Sequence, residues 1–161
     1  MSTDITKKQA MILVERGRRH QLKGEIADAI LMFRRSLALL PTAEAFTSIG
    51  WTYSTMARYH EAIDSCKLAI EVDETYGNPY NDIGAYLIKL NRWEEAVPWL
   101  EKAIEAPRYG QKHNPHMNLG RVYEHMGRFR TALVCYDQAL EIDPFDLASI
   151  WAKYGLVGQI N

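Results

Sequence analysis

The chain has 161 residues, of which 47% are hydrophobic and 24% charged, a balance that supports a folded core without disulfides or metal. Nineteen Lys and Arg stand against twenty Asp and Glu, for a net charge of −1. The basic excess that replaces phosphate counterions is missing, so nucleic acid is not an expected partner. The longest apolar stretches, such as Ala38-Leu39-Leu40 before Pro41, fall far short of the roughly 20 residues a bilayer span requires, and no membrane insertion is expected.

At the amino terminus, Met1 to Lys8 is followed by no apolar signal core and contains no lipid-attachment cysteine. Cys66 and Cys135 each lie in an apolar helical context and read as small buried hydrophobes of a reducing compartment. The expected location is cytoplasmic. Charge is unevenly spread: residues 1–42 carry eight bases against four acids, residues 43–110 six against eleven, and residues 111–161 five of each.

The chain repeats itself. Gly17, Gly50, Gly84 and Gly120 are spaced by 33, 34 and 36 residues, and alanine follows each twelve residues later, at Ala29, Ala62, Ala96 and Ala132. Sixteen residues after each glycine stand Phe33, Cys66, Leu100 and Tyr136. In chain order this predicts units over 10–42, 43–76, 77–112 and 113–146, each made of two helices around a short turn. The turns are Gly24-Glu25-Ile26, Ala57-Arg58-Tyr59, Asn91-Arg92-Trp93 and Gly127-Arg128-Phe129. Gly or Asn at the first turn position suits the left-handed residue that ends a helix. Small residues at the glycine and alanine positions let two antiparallel helices approach closely. A capping helix is expected over 147–158, where Trp151, Tyr154 and Gly155 restart the first-helix pattern. The third unit is longer, with extra residues in Glu105-Ala106-Pro107-Arg108-Tyr109-Gly110-Gln111-Lys112-His113, expected to be a tolerated surface insertion.

This pattern resembles the tetratricopeptide repeat (TPR) family, whose 34-residue unit reads roughly W-x2-L-G-x2-Y…A-x3-F…A…P. The departures are Arg16 and His20 in the first unit, Glu74 and Arg108 in place of closing prolines, and His116 where Trp or Tyr is usual. The resemblance implies an all-α fold, an α-solenoid of four helix-turn-helix units in a right-handed superhelix with a C-terminal cap. The Pro-Arg-Tyr stretch is also similar to loops in bacterial TPR proteins of pilus assembly, lipoproteins whose export signal is not found here.

Little in the sequence suggests catalysis. It has no glycine-rich phosphate loop, nucleophile elbow, H-E-x-x-H motif or cysteine pair at metal spacing. His113 and His116 share one face but no third ligand is near, so neither a metal, a cofactor nor a catalytic residue is expected. Binding is the better reading. The second helices carry charged outer faces (Asp64, Lys67, Glu71; Glu101, Lys102, Glu105; Asp137, Gln138, Glu141), whereas Thr42 to Met56 contains one charge, Glu44. Weak helix formers with hydrogen-bonding tips beside a tryptophan fit a contact surface better than a solvated face.

In the resembled family the first helices line a concave groove that holds extended peptides or partner helices. Carried over, that groove would take Val14, Glu15, Arg18 and Gln21 from the first unit, and Thr47, Ser48, Trp51 and Thr55 from the second. The third would add Asn78, Asn81, Asp82 and Lys89, and the fourth Asn114, Met117, Asn118, Arg121 and His125. The Asn side chains could hold a peptide backbone, Arg18 and Arg121 acidic groups, and Trp51 an apolar anchor. The Lys, Asn and Arg constellation by which some members clamp acidic chaperone tails is absent at these positions. The expectation is a non-catalytic scaffold or adaptor for a protein or peptide ligand. The alternative is a structural module, or a piece of a longer array, that self-associates weakly as a homodimer through 147–161.

Overall fold

The computed structural model describes residues 2–160. Its regular structure is helical throughout: α1 (Ser2–Leu22), α2 (Ile26–Leu39), α3 (Ala43–Thr55), α4 (Tyr59–Val72), α5 (Asn78–Lys89), α6 (Trp93–Glu105), α7 (His113–His125), α8 (Phe129–Ile142) and α9 (Leu147–Ile160). α1 packs on α2, α3 on α4, α5 on α6 and α7 on α8, while α9 rests on α7 and α8. α1 starts earlier than the repeat pattern does, and α9 runs slightly beyond the segment expected to cap the stack.

Each hairpin closes on one left-handed residue. φ is 75° at Gly24, 56° at Ala57, 58° at Asn91 and 71° at Gly127. The residue that follows donates its N–H five positions back: Glu25 to the His20 carbonyl (2.9 Å), Arg58 to Tyr53 (3.0 Å), Arg92 to Leu87 (2.8 Å) and Arg128 to Tyr123 (2.8 Å). These bonds satisfy carbonyls that a helix end otherwise leaves bare. Ala57 adopts the same geometry without the freedom of glycine, with its own N–H donating to the Ser54 carbonyl (3.0 Å) within the turn.

The repeated glycines and alanines are the contact points within hairpins. Ala29, Ala62, Ala96 and Ala132 are fully buried. A Cβ on Gly120 would lie 2.3 Å from the Tyr136 ring, and one on Gly84 would lie 2.5 Å from Leu100. The bulky residue sixteen positions on therefore fills the notch its glycine leaves. Between hairpins, one hydrophobic cluster runs from Ala62 and Cys66 through Ile83 and Leu100 to Val122 and Cys135. Val14, Ala29, Phe33 and Ala45 form a separate cluster at the first hairpin, and Ala132, Tyr136 and Leu156 another under α9, so the core is a row of clusters along the stack, as expected for an α-solenoid.

Curvature follows from which helices meet. Among the described residues α1 touches α3, α3 touches α5, α5 touches α7 and α7 touches α9, whereas α2, α4, α6 and α8 make no such contacts with one another. The first helices are drawn together on the inside of the curve and the second helices fan out on the outside.

The segment after α6 is not a tolerated surface insertion. Arg108 and Tyr76 form an isolated parallel bridge, with Arg108 N–H donating to the Thr75 carbonyl (3.0 Å) and Gly77 N–H to the Arg108 carbonyl (3.1 Å). Tyr109 is buried against Tyr80, Ala103 and Ala106, so close to Gly77 that a Cβ there would sit 2.3 Å away. The extra residues form a strap that pins the α6–α7 connection to the α4–α5 connection.

Candidate functional site

The concave face divides into two cavities separated by a polar seam. The first, of about 420 Å³, lies between α1, α3 and α5 and is lined by Arg18, Gln21, Leu22, Thr47, Ser48, Trp51, Tyr76, Asn78, Asp82 and Gln111. It gathers seven side chains expected in the groove: Arg18, Gln21, Thr47, Ser48, Trp51, Asn78 and Asp82. Trp51 is 43% exposed and forms an open wall. Thr47 and Ser48 are buried. The Thr47 hydroxyl donates to the Ala43 carbonyl (2.7 Å), and Ser48 Oγ accepts from Arg18 Nε (3.3 Å). Gln21 Nε2 donates to the Ser48 carbonyl (2.8 Å) and to the Thr52 hydroxyl, which ties α1 to α3.

The cavity lining carries one cation and one anion, Arg18 and Asp82, but they are not paired with each other. Arg18 is already held by Glu15 at 2.8 Å. Asp82 has no ion-pair partner among the described residues, and only the Asn81 side chain stabilises its charge. Burial pushes its carboxyl up to about 7 against that hydrogen bond. Around it the phenols of Tyr76, Tyr86 and Tyr109 are pushed upward, chiefly by burial and further by the Asp82 charge. Burial, with the same charge behind it, pushes the Cys66 thiol well up.

The seam is the buried pair Asn81 and Asn118, in which Asn118 Nδ2 donates to Asn81 Oδ1 (3.1 Å) across α5 and α7. Their amides spend part of their capacity on each other. Asn114 Nδ2 lies 3.4 Å from Gln111 Oε1, at the foot of the strap. The second cavity, between α7, α8 and α9, takes in Met117 and Arg121 with Glu124, Tyr136, Ala148, Trp151 and Ala152. The Tyr136 hydroxyl donates to Glu124 Oε2 at 2.7 Å.

Of the other expected groove residues, Glu15, Thr55 and Lys89 line neither cavity, and Val14 and His125 lie elsewhere. Val14 is fully buried with Ala29, Phe33 and Ala45, because its side of α1 turns toward α2 and α3, so it presents nothing to the groove. His125 stacks on Trp93 with ring centroids 4.0 Å apart, next to the α5–α6 turn and away from both cavities. His113 and His116 do not gather a metal-ligand set. Among the described residues such a set forms instead at His20, Glu25 and Asp28, with ligand atoms within 4.8 Å of one another. There His20 Nδ1 and Glu25 Oε2 already meet at 2.6 Å to close the α1–α2 turn. Sequence reasoning missed Leu22, Tyr76 and Gln111 as lining residues. Tyr76 and Gln111 flank α5 and the strap, where no helical period marks them.

No described helix is long and apolar enough to cross a membrane. At the far end, α9 exposes Trp151 (76%) and Tyr154 (65%), and its register glycine, Gly155, has no atom near the place a Cβ would occupy. The notch that a second helix fills in the four hairpins is open there.

Comparison with known proteins bears on this architecture. Family models described as tetratricopeptide repeat match residues 43–76, 80–106 and 114–146. Among curated proteins, the chain is 27% identical over 128 residues to anaphase-promoting complex subunit 3 of Schizosaccharomyces pombe, covering 76% of this chain and 18% of that protein. It is 28% identical over 78 residues to small glutamine-rich tetratricopeptide repeat-containing protein 2 of Mycosarcoma maydis, covering 48% of this chain and 22% of that one. The chain therefore spans only about a fifth of these relatives' lengths. Among solved structures, PilF of Pseudomonas aeruginosa superposes with a TM-score of 0.88 at 19% identity, over 99% of this chain and 71% of its own. YrrB, a TPR protein with an unusual peptide-binding site, gives 0.70 at 20% identity over 90% and 74%. At these identities the two structures establish the shared fold.

Proposed function

The chain belongs to the tetratricopeptide repeat family, whose members generally mediate protein–protein interactions, and we propose that it is a non-catalytic scaffold or adaptor whose concave groove holds a peptide or helix of a partner protein. The observation that carries this reading is the cavity between α1, α3 and α5. It lies on the inner side of the curve, has an exposed Trp51 as one wall, and brings together side chains from three successive units. A surface that only needed solvation would carry Lys and Glu there, as the outer helices do. The groove-lining set offered is Arg18, Thr47, Ser48, Trp51, Asn78, Asn81, Asp82, Asn114, Met117, Asn118 and Arg121, with Asn81 and Asn118 acting as the wall between the cavities. Both cysteines are free and buried, which supports a reducing, cytoplasmic setting. The test is capture of a partner by the wild-type chain and by Trp51→Ala, with circular dichroism to verify the fold. Loss of capture by a folded variant is expected, and unchanged capture would remove the groove from the account.

A second reading, weak self-association through 147–161, draws on the bare aromatic face and open Gly155 notch of α9. Light scattering at high concentration tests it. A concentration-dependent dimer that Trp151→Ala abolishes would support it, and a monomer throughout would dismiss it.

A further inference from the structure

We infer that the cavity between α1, α3 and α5 is a subsite for a basic side chain, Lys or Arg, of a peptide lying in the concave groove, with Asp82 as its counter-ion. The inference rests on the groove reading and specifies what the groove selects. Asp82 opens onto a cavity of about 420 Å³ that Arg18 also lines, yet it has no ion-pair partner among the described residues. The two guanidiniums nearby are committed elsewhere: Arg18 to Glu15, and Arg108 to Glu44 and Asp73. The cavity therefore holds one carboxyl without a counter-ion, beside the Tyr76 phenol and an arginine whose charge Glu15 already meets.

That arrangement ranks the possible occupants. An acidic side chain would be repelled by Asp82. An apolar one would strip water from the carboxylate and return no hydrogen bond, which is costly. A Lys or Arg supplies charge-assisted hydrogen bonds to the carboxylate and lays its aliphatic stem along Trp51, whose ring face also attracts the cation. Asn78 and Gln111, on the same rim, offer amide groups to the flanking peptide backbone. Burial lifts the Asp82 carboxyl, as expected of an acid with no counter-ion from its own chain.

A random dodecapeptide library displayed on phage, selected against the wild-type chain, Asp82→Asn and Trp51→Ala, tests this. Peptides that require Trp51 are expected to share a Lys or Arg at one position, and selection on Asp82→Asn should lose that preference. For a synthetic copy of the leading peptide, replacing its basic residue by Gln should weaken binding to the wild type about tenfold and leave binding to Asp82→Asn unchanged. Trp51-dependent peptides with no basic residue, or a preference that Asp82→Asn retains, would overturn the inference while leaving the groove reading intact. Failure to enrich any Trp51-dependent peptide would overturn both.

Discussion

Arg108 joins two acids from different units: its guanidinium meets Glu44 Oε1 at 2.9 Å and Asp73 Oδ2 at 2.7 Å. Glu44 is the single charge of α3, and Asp73 caps the end of α4. The same guanidinium lies 4.6 Å from the centre of the Tyr76 ring, and its backbone is bridged to the α4–α5 connection. The strap thereby fixes the angle between the second and third hairpins, and with it the width of the cavity they share.

Arg108→Ala should accordingly lower stability by about 1–2 kcal/mol, the worth of two partly exposed ion pairs and one cation–π contact. Urea unfolding checks the loss. Repeating it in about 1 M salt should shrink the difference between variant and wild type, because the ion pairs are screened. A difference that salt leaves untouched would assign the effect to packing alone.

The register glycines make opposite predictions at two ends of one pattern. Gly120→Ala places a Cβ 2.3 Å from Tyr136, a ring that is fully buried and tethered through its hydroxyl to Glu124. Overpacking there should cost about 1–3 kcal/mol. Gly155→Ala meets nothing within 4 Å and should stabilise α9 by about 0.5–1 kcal/mol through its better helix propensity. Thermal melts of the two variants provide the check.

Asp82 should make stability fall as pH rises. Its folded-state carboxyl, at about 7, lies above the ordinary value of 3.8. Between those values the folded chain binds the proton that the unfolded chain releases, so this group's contribution is fully present below the lower value and lost as pH climbs through the upper one. Asp82→Asn removes the buried charge. The variant should melt higher than wild type at about pH 8, and the gap should narrow toward about pH 5. A gap that is constant with pH would show that the carboxylate is better solvated than its position implies.

Much of the fold was legible because it is local and periodic. Glycine–alanine spacing marked the hairpin contacts, and Gly24, Asn91 and Gly127 marked their own left-handed turns. Ala57 carried no such signature, since alanine has no preference of its own for the left-handed region. The strap was hidden because its contacts are distant in sequence. Arg108 finds partners 35 and 64 residues away, and no periodicity ties an arginine in a loop to an acid that distant. The candidate site was legible by face and not by partner. The first-helix pattern pointed to Trp51, Asn78 and Asp82. It could not show that Asn81 and Asn118 bond to each other, that Val14 turns into the core, or that Arg18 is already matched and Asp82 is not.

The central claim is that partners are held on the inner face, and site-specific photo-crosslinking tests it most directly. A photoreactive residue is placed in turn at Asn78, in the cavity, and at Leu68, exposed on the outer helix α4 at 44%. Each chain is then irradiated with a captured partner. A covalent adduct is expected from position 78 and none from position 68. Adducts from position 68 alone would contradict the claim.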